Sequence, residues 1–103
     1  MKTINIAKEF SDCTGARYYT DGDFSGEEFK EKFLIPNFEK YDEIVIILDG
    51  TEGYATSFLE ESFGGLARHF SIKEVKQKLK FISEEEPALI SEIQEYIDEA
   101  NDK

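Results

Sequence analysis

The chain has 103 residues and a formal net charge of -11, with 23 acidic residues against 12 basic ones. That length fits a single domain, residues 1–103, and the apolar share of 40% with 14% aromatics suits one packed core and argues against disorder. The sign of the charge repels nucleic-acid phosphates and anionic membrane surfaces, which argues against direct DNA, RNA or membrane binding.

Met1-Lys2 opens without the apolar stretch of a secretory leader, and no apolar run approaches the roughly 18 residues of a membrane span. Thr3 to Phe10 sets Ile4, Ile6 and Phe10 on one face, interrupted by Lys8, and reads as a first strand. Ser11 to Gly15 is turn-like. Cys13 within it has no second Cys for a disulfide, zinc or redox motif, so it reads as a small semi-buried side chain in a reducing compartment. The combined expectation is a cytoplasmic protein. Ala16 to Thr20 reads as a second strand paired with the first and ended by Asp21-Gly22-Asp23.

Ser25-Gly26-Glu27-Glu28 has the spacing of a capping box, so a helix starts there and carries Phe29 and Phe33 on one face. Pro36 disfavours helix at Ile35, which predicts a break and a short turn carrying Phe38 and Tyr41. Ile44 to Leu48 is unbroken aliphatic sequence, the pattern of a strand buried on both faces, and Asp49-Gly50 stops it. Ser57-Phe58-Leu59-Glu60 repeats the capping-box spacing before Leu59, Phe63, Leu66 and Phe70 recur every three or four residues. Ser71-Ile72-Lys73-Glu74 is a third box, opening a short helix before Leu79 and Phe81 alternate as a last strand. Ser83 to Pro87 leads into a terminal helix with Leu89, Ile90, Ile93, Ile97 and Ala100 at helical spacing, and the acidic tail from Asp98 to Lys103 is expected to fray. The order is β-β-α-β-α-(short α)-β-α, an α/β fold whose mixed sheet is covered by helices.

In open α/β sheets ligands and partners dock at the loops leaving the carboxyl ends of strands, which directs attention to Asp49 and the loop after it. A catalytic set is hard to complete there. About twelve residues of helix separate Ser57 from His69, the only histidine, by about 18 Å, too far for a nucleophile-base pair. His69 instead suits a helix C-terminus and its carbonyls. Asp21, Asp23, Ser25 and Gly26 imitate a calcium loop whose closing Glu is Lys32. Asp49 with Glu60 or Glu61 makes a carboxylate pair without a His or Cys, and Glu60 already has a capping role. Gly64-Gly65 inside a helix points to close packing. Arg17 is expected to pair with Asp21 or Asp49, and Glu92, Glu95, Asp98 and Glu99 to form a solvated face. The expectation is a protein that is not an enzyme and needs no cofactor or metal.

The strand, Asp49-Gly50, the loop and the helix start Thr56-Ser57-Phe58-Leu59 resemble the signature of STAS domains, named for sulphate transporters and anti-sigma factor antagonists. Phe24-Ser25-Gly26-Glu27-Glu28-Phe29, Asp49-Gly50-Thr51 and the run Ser57 to Leu66 are similar, more specifically, to a STAS-like family of bacterial and phage proteins without an established function. The resemblance implies a small STAS-like fold and a regulatory protein-protein interaction module. In anti-sigma antagonists the serine at the helix start is phosphorylated by a histidine-kinase-like ATPase, and the phosphate abolishes binding. Matching Leu59 to the leucine of that motif sets Thr56 on the phosphosite and Ser57 on the next serine, with Ala55 and Phe58 where the motif has Asp and Gly. The implied partner-binding or switch surface is Asp49, Thr51, Tyr54, Thr56, Ser57, Phe58 and Glu61, and the implied partner is such an ATPase or a transcription regulator. The charge of -11 leaves an alternative, a small acidic inhibitor that mimics nucleic acid to block a DNA-binding protein.

Overall fold

In a computed structural model that describes residues 1–100, the strands Lys2–Asn5 (β1), Ile44–Ile47 (β2) and Leu79–Ile82 (β3) pair in parallel in the order β1-β2-β3. Lys2 lies opposite Ile44, and Ile44 opposite Leu79. The helical segments are α1 (Ile6–Glu9), α2 (Gly26–Phe29), α3 (Ile35–Lys40), α4 (Thr56–Leu59), α5 (Gly65–His69), α6 (Ile72–Lys78) and α7 (Ala88–Asp98). A π turn at Lys30–Leu34 joins α2 to α3 as a first long helix, and one at Glu60–Gly64 joins α4 to α5 as a second.

Successive parallel strands joined by right-handed crossovers, laid down in one direction, put both long helices on the same face of the sheet. Burial agrees. Ile4, Ile44, Ile46 and Leu79 point inward at 3% exposure or less, while Thr3, Val45, Ile47, Lys80 and Ile82 face the other way, half-buried or exposed. The unbroken aliphatic run is therefore covered on one face only, not on both as its composition suggests. Inward-facing strand residues meet Phe29, Leu34, Phe38, Phe58, Leu59, Phe63 and Leu66 of the long helices and Leu89, Ile93 and Ile97 of α7 in one core. No helix among the described residues is long and apolar enough to cross a membrane.

Several local expectations are corrected. The first strand ends at Asn5, whose side-chain oxygen accepts from the Lys8 N–H at 3.1 Å and caps α1. Ala16 to Thr20 forms no strand, and the sheet is wholly parallel. The backbone there is already committed: Gly26 N donates to Ala16 O, Glu27 N to Arg17 O, and Tyr18 N to the Asp21 carboxylate. Pro36 does not break its helix. It lies just past a π turn in which Ile35 N donates to Lys30 O, and the wider turn absorbs the proline, whose ring and missing N–H disrupt an ordinary α-turn. Phe38 consequently belongs to α3, fully in the core. At the carboxyl end α7 runs to Asp98 and Ala100 is buried, so fraying does not begin at Asp98; Asn101, Asp102 and Lys103 lie outside the described residues.

Candidate functional site

The first loop, after α1, and the second and third loops, which leave β2 and β3, are laced together. Glu52 N donates to Asp12 O at 2.8 Å, and the Thr14 hydroxyl to Gly53 O at 3.4 Å, tying the first loop to the second. The second loop is tied to the third by Asp49, whose two carboxylate oxygens accept from Glu84 N at 3.0 Å and Glu85 N at 2.9 Å. Gly50 N returns a bond to the Glu85 carboxylate at 2.8 Å, from a backbone with φ 95° that suits glycine. Asp49 thus has both oxygens occupied by backbone donors and acts as a clamp between loops.

Between the second and third loops lies a cleft of 370 Å³ lined by Leu48, Asp49, Thr51, Glu52, Gly53, Tyr54, Ser83, Glu85, Glu86 and Leu89. Leucine side chains and the Tyr54 ring make its apolar part, and four carboxylates surround it. The Tyr54 hydroxyl donates to Leu48 O at 2.7 Å, and its ring lies 5.8 Å from that of Phe58, so the loop is pinned to strand and core together. Burial, reinforced by the charges of Asp49 and Glu85 and opposed by the Thr51 hydroxyl, pushes the Tyr54 phenol up to about 12. The Thr51 hydroxyl oxygen also accepts from Gly53 N at 3.2 Å. Among the described residues no group of three His, Cys, Asp or Glu is placed to hold a metal.

The seven residues expected to share one surface do not. Asp49, Thr51 and Tyr54 line the cleft; Thr56 is exposed and Ser57 half-buried in the first turn of α4, outside its lining. Phe58 is completely buried, against the rings of Phe29 and Tyr54, and cannot face a partner in this fold. Glu61 is 7% exposed and its carboxylate is held by Lys30 at 2.8 Å and Arg17 at 3.4 Å, so it too leaves the surface. Ser57 is not the cap. The N-cap is Ala55, whose carbonyl accepts from Phe58 N and Leu59 N, so the helix starts two residues earlier than the Ser-x-x-Glu spacing suggests. Ser25 and Ser71 do cap their helices, accepting from Glu28 N and Glu74 N at 3.1 Å each.

Beneath the second long helix lies an arrangement that sequence reasoning missed. Glu60 and Glu61, adjacent in the π turn, receive Arg17 from the first loop, Lys30 from the first long helix and Arg68 from α5. Arg17 meets neither Asp21 nor Asp49, and its guanidinium is held more firmly protonated, chiefly by its hydrogen bond to Glu60. Glu60, expected as a cap, pairs with Arg17 and Arg68. Gly64 and Gly65 give the cluster room: a Cβ on Gly64 would lie 2.7 Å from the Glu60 carboxylate, and one on Gly65 3.0 Å from Cδ of Lys30. The paired glycines were the only cue in the sequence to that close approach. His69 is exposed in the last turn of α5, its ring edge-on to Phe70. Cys13 is exposed, not semi-buried, and a hydrogen bond and the charge of Glu52 push its thiol up, away from the reactive thiolate.

A family model described as a STAS-like domain of unknown function (DUF4325) matches residues 25–89. That span runs from the cap of the first long helix through β2, the cleft loop and the second long helix to Leu89. Neither a curated protein nor a solved structure is significantly similar to the chain.

Proposed function

The chain belongs to the STAS-like domains of unknown function, and from that premise we propose that it is a regulatory module that binds another protein at the carboxyl edge of its sheet, switched by phosphorylation of Thr56 or Ser57. One observation carries this reading. Thr56 stands exposed in the first turn of a long helix whose N-cap, Ala55, has no side chain to occupy the free amides, a position that stabilises an added phosphate. Like charge from Glu60 and Glu61 would oppose such a phosphate, but both carboxylates are drawn into the cluster with Arg17, Lys30 and Arg68. The cleft of Asp49, Thr51 and Tyr54 supplies the shaped surface beside the switch. The partner suited to such a switch is a protein kinase of the histidine-kinase-like ATPase type or a transcription regulator.

The acidic-inhibitor reading has less behind it. Of the terminal acidic residues, Asp98 is paired with Lys76 and Glu92 accepts from the Tyr96 hydroxyl, so the row is not a free run of charge. The test is mass spectrometry of the protein from its native cells, together with capture of an ATPase or regulator by wild type and by Thr56→Glu. Phosphate on Thr56 or Ser57, and capture lost in the glutamate variant with the fold intact, support the switch. Unmodified protein and unchanged capture refute it. Phe58→Ala is unsuitable here, because it would empty the core.

A further inference from the structure

The first loop carries a surface that the switch does not use. Gly15 N donates to Phe24 O and Gly26 N to Ala16 O, closing the loop at its base, while Tyr19 N is held by the Glu27 carboxylate at 3.0 Å and the Tyr19 hydroxyl donates to Glu31 at 3.1 Å. From this fixed frame Tyr18, Tyr19 and Phe24 stand 46%, 44% and 41% exposed, three of the five exposed large hydrophobic residues among those described. Phe24 has a φ of 56°, a left-handed conformation that strains a bulky aromatic residue, and its ring makes one edge-on contact, with Phe10 at 5.4 Å. A strained, ordered loop that exposes aromatic rings has the composition of a binding hot spot.

The geometry points to this loop as the docking surface for a basic, Arg- and Lys-rich segment of a partner protein. Charge selects that occupant. Asp21, Glu27 and Glu31 accept from Tyr18 N, Tyr19 N and the Tyr19 hydroxyl, and Asp23 precedes Phe24 in sequence, whereas the cations nearest in sequence are engaged elsewhere, Arg17 with Glu60, Lys30 with Glu61 and Lys32 with Glu28. Arg17 also lies 5.9 Å from the centroid of the Tyr18 ring, so that ring already receives a guanidinium. An incoming arginine would stack on Tyr19 or Phe24 and meet the carboxylates around them. This surface extends beyond the switch and does not rest on it, since none of its residues lies in the segment 49–57.

The test is fluorescence anisotropy of a labelled (Arg-Gly-Lys-Ser)3 peptide with the full chain, with backbone amide NMR to locate it. The expected shifts concentrate on residues 17–31, and Tyr19→Ala and Phe24→Asn each weaken binding about fivefold, the scale of one lost cation-π contact. Asn tolerates the left-handed backbone at position 24, so that variant keeps the loop; thermal melts confirm both folds. Thr56→Glu leaves this affinity unchanged if the two surfaces are separate. Shifts spread along α7, equal binding of the (Glu-Gly-Glu-Ser)3 peptide, or unaltered affinity in both loop variants would each overturn the proposal. Self-association of the chain abolished by Tyr19→Ala would overturn it as well, assigning the surface to a second copy.

Discussion

Arg17 and Glu60, 43 residues apart in sequence, form an ion pair that fastens the first loop to the π turn of the second long helix. Arg17→Met should therefore loosen the loop while Arg68 keeps Glu60 partnered. The Arg17 side chain is 28% exposed, which reduces the cost from that of a fully buried pair to about 1–2 kcal/mol. Urea denaturation measures the loss. Hydrogen exchange should quicken at Gly15, Gly26 and Glu27, whose amides close the loop; unchanged protection there would show that the backbone bonds hold it alone.

Gly64→Ala should destabilise the protein although alanine is the better helix former. The new Cβ would lie 2.7 Å from the Glu60 carboxylate and 3.3 Å from Tyr96 O. Overpacking of that kind costs about 1–3 kcal/mol against a helix-propensity gain of about 1 kcal/mol. Gly65→Ala meets only flexible parts of Lys30 and Glu61 side chains and should cost less. A thermal melt of the two variants checks the order.

Asp49→Ala should free the third loop from the second. Two backbone donors, Glu84 N and Glu85 N, lose their acceptor and turn to water, at a cost of about 1–2 kcal/mol. The diagnostic result is faster exchange at those two amides; if they stay as protected as before, the clamp is not Asp49.

Tyr54 gives the protein a specific alkaline weakness. In the unfolded chain its phenol ionises at about the ordinary 10.0, whereas in the fold it keeps its proton up to about 12. The stabilisation is complete below pH 10 and is lost as pH rises from there towards 12, because only the unfolded state gains by ionising. Tyr19 and Tyr96 are also raised, by partial desolvation and by hydrogen bonds to Glu31 and Glu92, so the informative quantity is the difference between wild type and Tyr54→Phe. The variant should lose about 1 kcal/mol at neutral pH with its bond to Leu48 O, and show a flatter decline above pH 10. Parallel declines would contradict the shift.

Periodicity made the second long helix, α7 and two of the strands readable, whereas α1 lies where a strand is expected and α3 where a turn is. Leu59, Phe63 and Leu66, and likewise Leu89, Ile93 and Ile97, fall where burial places them, because spacing reports which face is covered. What misled was local chemistry overruled from a distance. Ala16 to Thr20 has the residues of a strand, yet its carbonyls are taken by Gly26 and Glu27 at the start of a helix. Ser57 has the spacing of a cap, yet the helix begins at Thr56 with Ala55 as its N-cap. At the site, the position of Asp49 at the end of β2 was legible, but its partners Glu84 and Glu85 follow a different strand. Spacing suggests a cap for Glu60 and the resemblance sets Glu61 on the partner surface; the cluster they form is hidden because its cations come from three separate segments, and no window of sequence contains them all.

The parallel sheet has a kinetic consequence. Lys2 pairs with Ile44 and Ile44 with Leu79, so each pairing closes a loop of about 40 residues, and neither can be reached through a hairpin. Helical turns form early and cheaply, but the strands wait for these long closures, which places the chain with slower α/β folders instead of helical bundles of its size. During synthesis β3, and with it the third partner of the sheet, emerges only after residue 82. Until then the far edge of β2 has no partner, and a nascent chain halted before Leu79 exposes the unpaired N–H and C=O groups that promote association between chains.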